Sequence, residues 1–142
     1  MKKIAVVYWS GTGNTEAMAK AVADGVKKEN SEAEIIEVES FDVATIDNYD
    51  AIAFGCPAMG DEELEETVFE PMFSEVKTKL GNKPIALFGS YSWADGEWME
   101  LWEDDCRDAG LNLATESVIA FDMPDEDAVS ECEALGAALA IK

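Results

Sequence analysis

The chain has 142 residues, 48% of them apolar, and ten basic against 31 acidic side chains, for a formal net charge of −21 at pH 7. That size suits one domain, residues 1–142, with a real hydrophobic core. The charge argues against nucleic acid and against an anionic membrane surface, both of which are read with Lys and Arg.

No histidine is present, which excludes Ser-His-Asp and Cys-His catalysis and His-ligated zinc. Cys56, Cys106 and Cys132 are far apart and odd in number. They form no CxxC pair or zinc spacing, so reduced, buried thiols and a cytoplasmic location are expected. No metal site is expected. The apolar run at the N-terminus is too short for a signal peptide, and no stretch approaches the roughly 20 residues of a membrane span.

In chain order, apolar runs alternate with amphipathic segments. Residues 4–8 are β-rich without polar alternation, as in a strand buried on both faces. Ala17, Met18, Ala21, Val22, Gly25 and Val26 then recur at helical spacing. Residues 34–39 alternate more, like a strand nearer a sheet edge. Residues 51–56 form a second buried run. Pro71 interrupts a helical composition over 64–80, and since proline fits the first turn, the helix is expected to start near Glu70 or Pro71. Residues 85–89 are a third buried run. Trp98, Trp102 and Cys106 share a helix face, joined by Leu101 and Ala109, with Gly110 as the C-cap. Residues 113–121 are the last strand, and Val129, Cys132, Leu135, Gly136 and Leu139 line the inner face of a closing helix. Five β–α units imply an α/β fold: a parallel sheet covered on both faces, wound as a three-layer sandwich.

In such sheets, ligands bind beyond the carboxyl ends of the strands. The unusual residues stand there. Ser10-Gly11-Thr12-Gly13-Asn14-Thr15-Glu16 runs from the first strand straight into a helix. Glycines let backbone N–H groups turn around an anion, and the helix N-terminus adds partial positive charge. The loop lacks the Gly-Lys-Ser/Thr ending of a Walker A motif and is not GxGxxG. With no Lys or Arg in it, neutral donors alone would hold a terminal phosphate. An ordinary polar turn capped by Asn14 or Thr15 is the simpler alternative. Gly55-Cys56-Pro57-Ala58-Met59-Gly60-Asp61-Glu62-Glu63 and Gly89-Ser90-Tyr91-Ser92-Trp93-Ala94-Asp95 follow the third and fourth strands. Flat apolar side chains on two loops beside a phosphate anchor suit an aromatic, phosphorylated cofactor.

The first loop resembles the phosphate loop of the flavodoxins. Cys56 to Glu63 and Ser90-Tyr91-Ser92-Trp93 resemble that family's two isoalloxazine-binding loops. The resemblance runs the whole chain, including Glu70-Pro71 and Met123-Pro124-Asp125, and the fifth strand has no room for the insertion of long-chain members. It implies a short-chain, flavodoxin-like fold with a five-stranded sheet in the order 2-1-3-4-5. It also implies a monomeric, low-potential one-electron carrier with one non-covalent FMN, shuttling between semiquinone and hydroquinone, rather than a turnover enzyme. Ser10, Thr12, Asn14 and Thr15, with backbone N–H groups from Gly11 to Thr15 including Gly13, would hold the 5′-phosphate. Met59 would lie on the inner face of the flavin, within Pro57, Ala58, Gly60 and Asp61. Trp93 would stack on the outer face, Glu62 would accept from N3–H, and backbone N–H groups near Ser92 and Ala94, after Ser90 and Tyr91, would approach O2 and N1. The chain departs from several relatives at Ser92 and Ala94, where they carry glycine, and at Pro57, where others carry serine. The partners implied are a reductase and an electron acceptor.

Flavin supplies the redox chemistry and the protein tunes it. Residues 61–75 carry seven acids and no base, and residues 95–108 carry seven acids and only Arg107. Screened repulsion from these fourteen charges would disfavour an anionic reduced flavin by about 1–3 kcal/mol, or about 40–130 mV. The same rim would steer basic redox proteins. Trp98 and Trp102 read as core residues. Trp9, beside the phosphate loop, is as readily a packing residue as a shield for the cofactor. Among other functions, an FMN-dependent quinone or azo reductase would need a nicotinamide site, and a low-molecular-weight phosphatase a Cys and an Arg in the phosphate loop. A receiver domain would need paired acids after the first strand.

Gly60 is expected to let its peptide turn over when the flavin N5 gains a proton, since glycine accepts positive φ. Gly60→Ala should cost about 1–2 kcal/mol in one peptide orientation. In anaerobic stepwise reduction the blue neutral semiquinone should then accumulate less than in the parent protein. Unchanged accumulation would remove that role.

Overall fold

Five apolar residues in succession place a strand in the middle of a sheet. In the computed structural model, which describes residues 2–11, 13–58, 65–91 and 96–141, strand β1 (Lys3–Tyr8) is that strand. It pairs in parallel with β2 (Glu32–Glu37) on one side and β3 (Ala51–Gly55) on the other. Beyond β3 lies β4 (Pro84–Tyr91), and beyond β4 lie two short strands, β5 (Asn112–Leu113) and β6 (Val118–Phe121). The expected order 2-1-3-4-5 is present. The fifth position, expected as one strand over 113–121, is filled by two pieces. The polar residues Thr115, Glu116 and Ser117 leave the ladder, and the Ser117 hydroxyl donates instead to Glu103 (2.7 Å).

Alternate residues of the inner strands face opposite layers. Ala5, Val7, Ile52, Phe54, Ile85 and Leu87 join the core under α2 (Phe69–Val76) and α3 (Glu97–Asp108). Ile4, Val6, Ala51, Ala53, Ala86 and Phe88 join the core under α1 (Asn14–Lys28) and α4 (Glu126–Ile141). On that second side the helices meet backbone to backbone. A Cβ at Gly25 would stand 1.9 Å from the Glu133 carbonyl oxygen, and one at Gly136 would stand 2.0 Å from that of Val22.

Local expectations hold with a few corrections. β2 starts and ends two residues earlier than read from alternation, because Val38–Ser40 turns into a 3₁₀ helix. α2 starts at Phe69, with Pro71 in its first turn as expected. Trp98, Trp102 and Cys106 are buried, but Leu101 is 52% exposed and Ala109 is also exposed. The buried stripe runs through Met99 instead. Leu101 lies roughly 100° around the helix from the middle of that stripe, and Ala109 falls on the C-cap, past the last packed turn. Gly110 (φ +76°) closes the helix in a Schellman arrangement. Its N–H donates to the Arg107 carbonyl, and the Leu111 N–H donates to that of Cys106 (both 3.0 Å). All three cysteines are buried free thiols, each pushed up to about 12 by burial.

A device not read from the sequence holds the start of α2. Glu65 is 5% exposed, and its carboxylate accepts from the N–H groups of Thr67 (3.0 Å), Val68 (2.8 Å) and Phe69 (2.9 Å) and from the Thr67 hydroxyl. Burial pushes this carboxyl up, but the hydrogen bonds from Thr67, Phe69 and Val68 outweigh it and hold the group below its usual range. The Glu65 N–H in turn donates to the Cys56 thiol sulfur (3.4 Å), so the segment from 56 to 65 is clasped at its base.

A carboxyl lowered by folding contributes stability above its unfolded pKa, and loses that contribution as pH falls through its folded value. Glu65→Gln puts an amide donor against backbone donors. It should cost about 1–2 kcal/mol in urea denaturation at pH 7, with the gap to the parent protein closing toward pH 3. A gap independent of pH would show that the charge is not its source.

Candidate functional site

Parallel pairing sets Tyr8 opposite Gly55 and Gly55 opposite Phe88, so β1, β3 and β4 end side by side. The contact continues past the strands. The Trp9 N–H donates to the Gly55 carbonyl (3.0 Å), that of Cys56 to Phe88 (3.1 Å) and that of Ala58 to Ser90 (3.0 Å). The three loops singled out by their composition therefore leave the sheet at one place.

Around the first loop, the backbone bends through Gly13 (φ +97°), which occupies the N-cap position of α1. Neither Asn14 nor Thr15 is the cap. Asn14 is the first helical residue, and among the described residues no side chain caps the helix. Its first-turn N–H groups are left for another acceptor. The Ser10 hydroxyl accepts from the Gly13 N–H (2.9 Å), which leaves its own proton to donate. Gly11 is exposed, and the Trp9 ring lies over it: a Cβ at Gly11 would be 3.0 Å from the indole. Trp9 thus walls the loop while packing on the core.

Thr15 goes inward. It is 1% exposed, and its hydroxyl lies 3.0 Å from that of Ser90, itself 4% exposed. This buried pair joins the first loop to the end of β4. When Ser90 donates, the Thr15 proton is free for an anion at the helix head. Next to Ser90, Tyr91 is half-buried between Trp98 (ring centroids 5.7 Å) and Phe121 (5.4 Å). Trp98 donates its indole N–H to the Cys56 carbonyl (3.2 Å), fixing the base of the other ring loop. Pro57 is half-buried and Ala58 buried at that base. Thr12, Met59, Gly60, Asp61, Glu62, Ser92, Trp93 and Ala94 lie outside the described residues.

A cleft of about 330 Å³ opens beside Ser10, Gly11 and Gly13, and its other walls are Tyr8, Trp9, Glu16, Glu37, Val38 and Glu39. Among the described residues, no Lys or Arg lines it. The Tyr8 hydroxyl lies 3.2 Å from Glu16 and 3.5 Å from Glu37, and its single proton serves one carboxylate at a time. Burial first, then Glu16 and Glu37, push this phenol up to about 12, so it stays a donor. Tyr8 and Glu37 carried no sequence signal for this role: Tyr8 reads as a strand residue, and Glu37 stands 29 positions away.

The acidic surround is less bare than counting suggests. Lys77 meets Asp105 (2.9 Å), Lys79 meets Glu75 (3.2 Å) and Arg107 meets Asp104 (3.4 Å). With Glu65 buried under backbone donors, fewer than fourteen uncompensated charges act on the site.

Among the described residues, the donor set fits the phosphate of FMN: a helix head no side chain caps, a hydroxyl with a proton to give and a buried hydroxyl backed by a second, with no cation among them. Comparison with known proteins agrees. The flavodoxin family model matches residues 6–136. A flavodoxin from Megasphaera elsdenii is 43% identical over 96% of this chain and 98% of its own, and one from Clostridium beijerinckii is 42% identical over 95% and 97%. The solution structure of the two-electron-reduced Megasphaera elsdenii protein superposes with a TM-score of 0.90, covering 98% of this chain and 99% of the other. A flavodoxin from the domain Archaea, 27% identical, superposes at 0.85, covering 98% of this chain and 96% of the other. With three site loops leaving one sheet end and whole-length likeness on both counts, the chain belongs to the flavodoxin family of FMN-dependent electron carriers.

Proposed function

We propose that the chain is a low-potential one-electron carrier whose FMN sits with its phosphate at the head of α1 and its rings between the loops after β3 and β4. The observation that carries this reading is the first turn of α1, which no side chain caps among the described residues, flanked by the Ser10 hydroxyl and the buried Thr15–Ser90 pair. FMN, when bound, supplies the one-electron chemistry. The chain's own residues bind and orient it. Ser10, Thr12, Asn14 and Thr15 donate to the phosphate with the backbone N–H groups of 11–15. Met59 and Trp93 flank the rings, and Glu62 accepts from N3–H. The 56–65 clasp and the Trp98–Cys56 bond hold the ring loops' bases against rearrangement.

The partners of a flavodoxin are redox proteins. For this chain we expect basic-surfaced ones, a reductase and an acceptor, since a net charge of −21 attracts cations at long range and repels a second copy. A monomer in the cytoplasm is the expected form. No helix among the described residues is long and apolar enough to cross a membrane.

FMN added to apoprotein should lose its fluorescence with one-to-one stoichiometry. Anaerobic reduction should then proceed in two separated one-electron steps. Absence of quenching would overturn the assignment, and direct two-electron bleaching with NAD(P)H oxidation would favour a reductase. Thr15→Val should weaken FMN by about 1–3 kcal/mol, about 5- to 150-fold, while riboflavin, which has no phosphate, should lose little. Equal losses for both flavins would mean that Thr15 acts only through the fold.

A further inference from the structure

The two edges of the sheet are finished differently. β2 carries Glu32, Glu34 and Glu37 among six residues, a charged finish that keeps an open edge from pairing with another chain. β6 carries no charge. Val118 and Ala120 point into the core under α4, while Ile119 and Phe121 stand 37% and 60% exposed on the opposite face, followed by Met123 at 59%. Among the described residues, the only strand beside β6 is β4, and the backbone of 118–121 bonds to nothing else.

Along the outer side of this edge run two adjoining hollows, of about 290 and 210 Å³, which share Glu131 between β6 and α4. Glu116, Asp125, Asp127 and Glu131 supply their charge, and among the described residues no Lys or Arg lines them. From residue 108 to 141 the chain has eight acids and no base. Asp125 also caps α4 through the Ala128 N–H (2.8 Å). The edge thus offers apolar side chains on one face and carboxylates on the other, with the alternation a strand needs.

We propose that the outer edge of β6 is a docking strand for an extended segment of the redox partner, with Lys or Arg alternating with apolar residues. Backbone groups of that segment pair with β6. Its apolar side chains fall beside Ile119 and Phe121, and its cations fall over Asp127 and Glu131. A second copy of this chain is the wrong occupant, because two bodies of charge −21 repel. The ring of Phe121 sits edge-on to Tyr91, which leads into the second ring loop, so a partner held here lies beside the flavin site. The partner's redox identity rests on the electron-carrier reading; the edge does not.

The test uses isotope-labelled holoprotein in about 0.15 M salt and an eight-residue peptide of alternating Lys and Val. Amide signals of 118–121 should shift and exchange more slowly with solvent, while those of β2 stay still. The same peptide N-methylated at the residues facing β6 keeps its charge and loses its donors, and should bind at least tenfold more weakly. Phe121→Ala and Glu131→Gln, both at exposed positions, should each weaken the parent peptide severalfold, and Glu131→Gln should do so without changing FMN binding. Equal binding of the two peptides, shifts spread over the acidic surface, or shifts of 118–121 that follow protein concentration without peptide would each overturn the proposal. A failure of FMN to bind would appear separately, in flavin fluorescence, and leave the amide result readable.

Discussion

In-step pairing of β1, β3 and β4 is the constraint on which the site depends. Their ends stand side by side, and three further backbone hydrogen bonds carry the alignment past the sheet. Loops that leave the sheet after Tyr8, Gly55 and Tyr91 therefore share one floor. A slip of one residue in any pairing would turn alternate side chains to the wrong layer and part the loops. The two cores resist such a slip, because each inner strand is buried on both faces.

On the proposed reading, anion recognition in so acidic a protein would rest on neutral donors. A guanidinium or ammonium would bind a phosphate more strongly, but the dipole of α1 and its first-turn N–H groups would do so without adding positive charge beside the flavin. The nearby carboxylates are handled locally. Tyr8 lies between Glu16 and Glu37, and three backbone donors and a hydroxyl converge on Glu65. Such arrangements let a carboxylate sit near or under the surface without an unpaired buried charge.

The same economy shows in the loops' supports. Cys56 acts here as a buried sulfur acceptor and not as a nucleophile, since burial keeps it a thiol. Trp98 gives its ring to the core and its N–H to the Cys56 carbonyl. Trp9 both fills the core margin and covers Gly11.

The buried runs and the order of strands and helices were legible in the residues, and the family resemblance supplied the strand order. Periodicity and glycine placement are local properties of the chain, and they survive folding: the misread residues Leu101 and Ala109 sit at the flank and the end of a helix, where a local pattern says least. Tertiary structure alone decided which distant groups meet. Thr15 finds Ser90 across 75 positions, Tyr8 finds Glu37 across 29, and Gly25 lies against Glu133. Strand register and helix crossing set those pairings, and neither is encoded in the residues that end up touching.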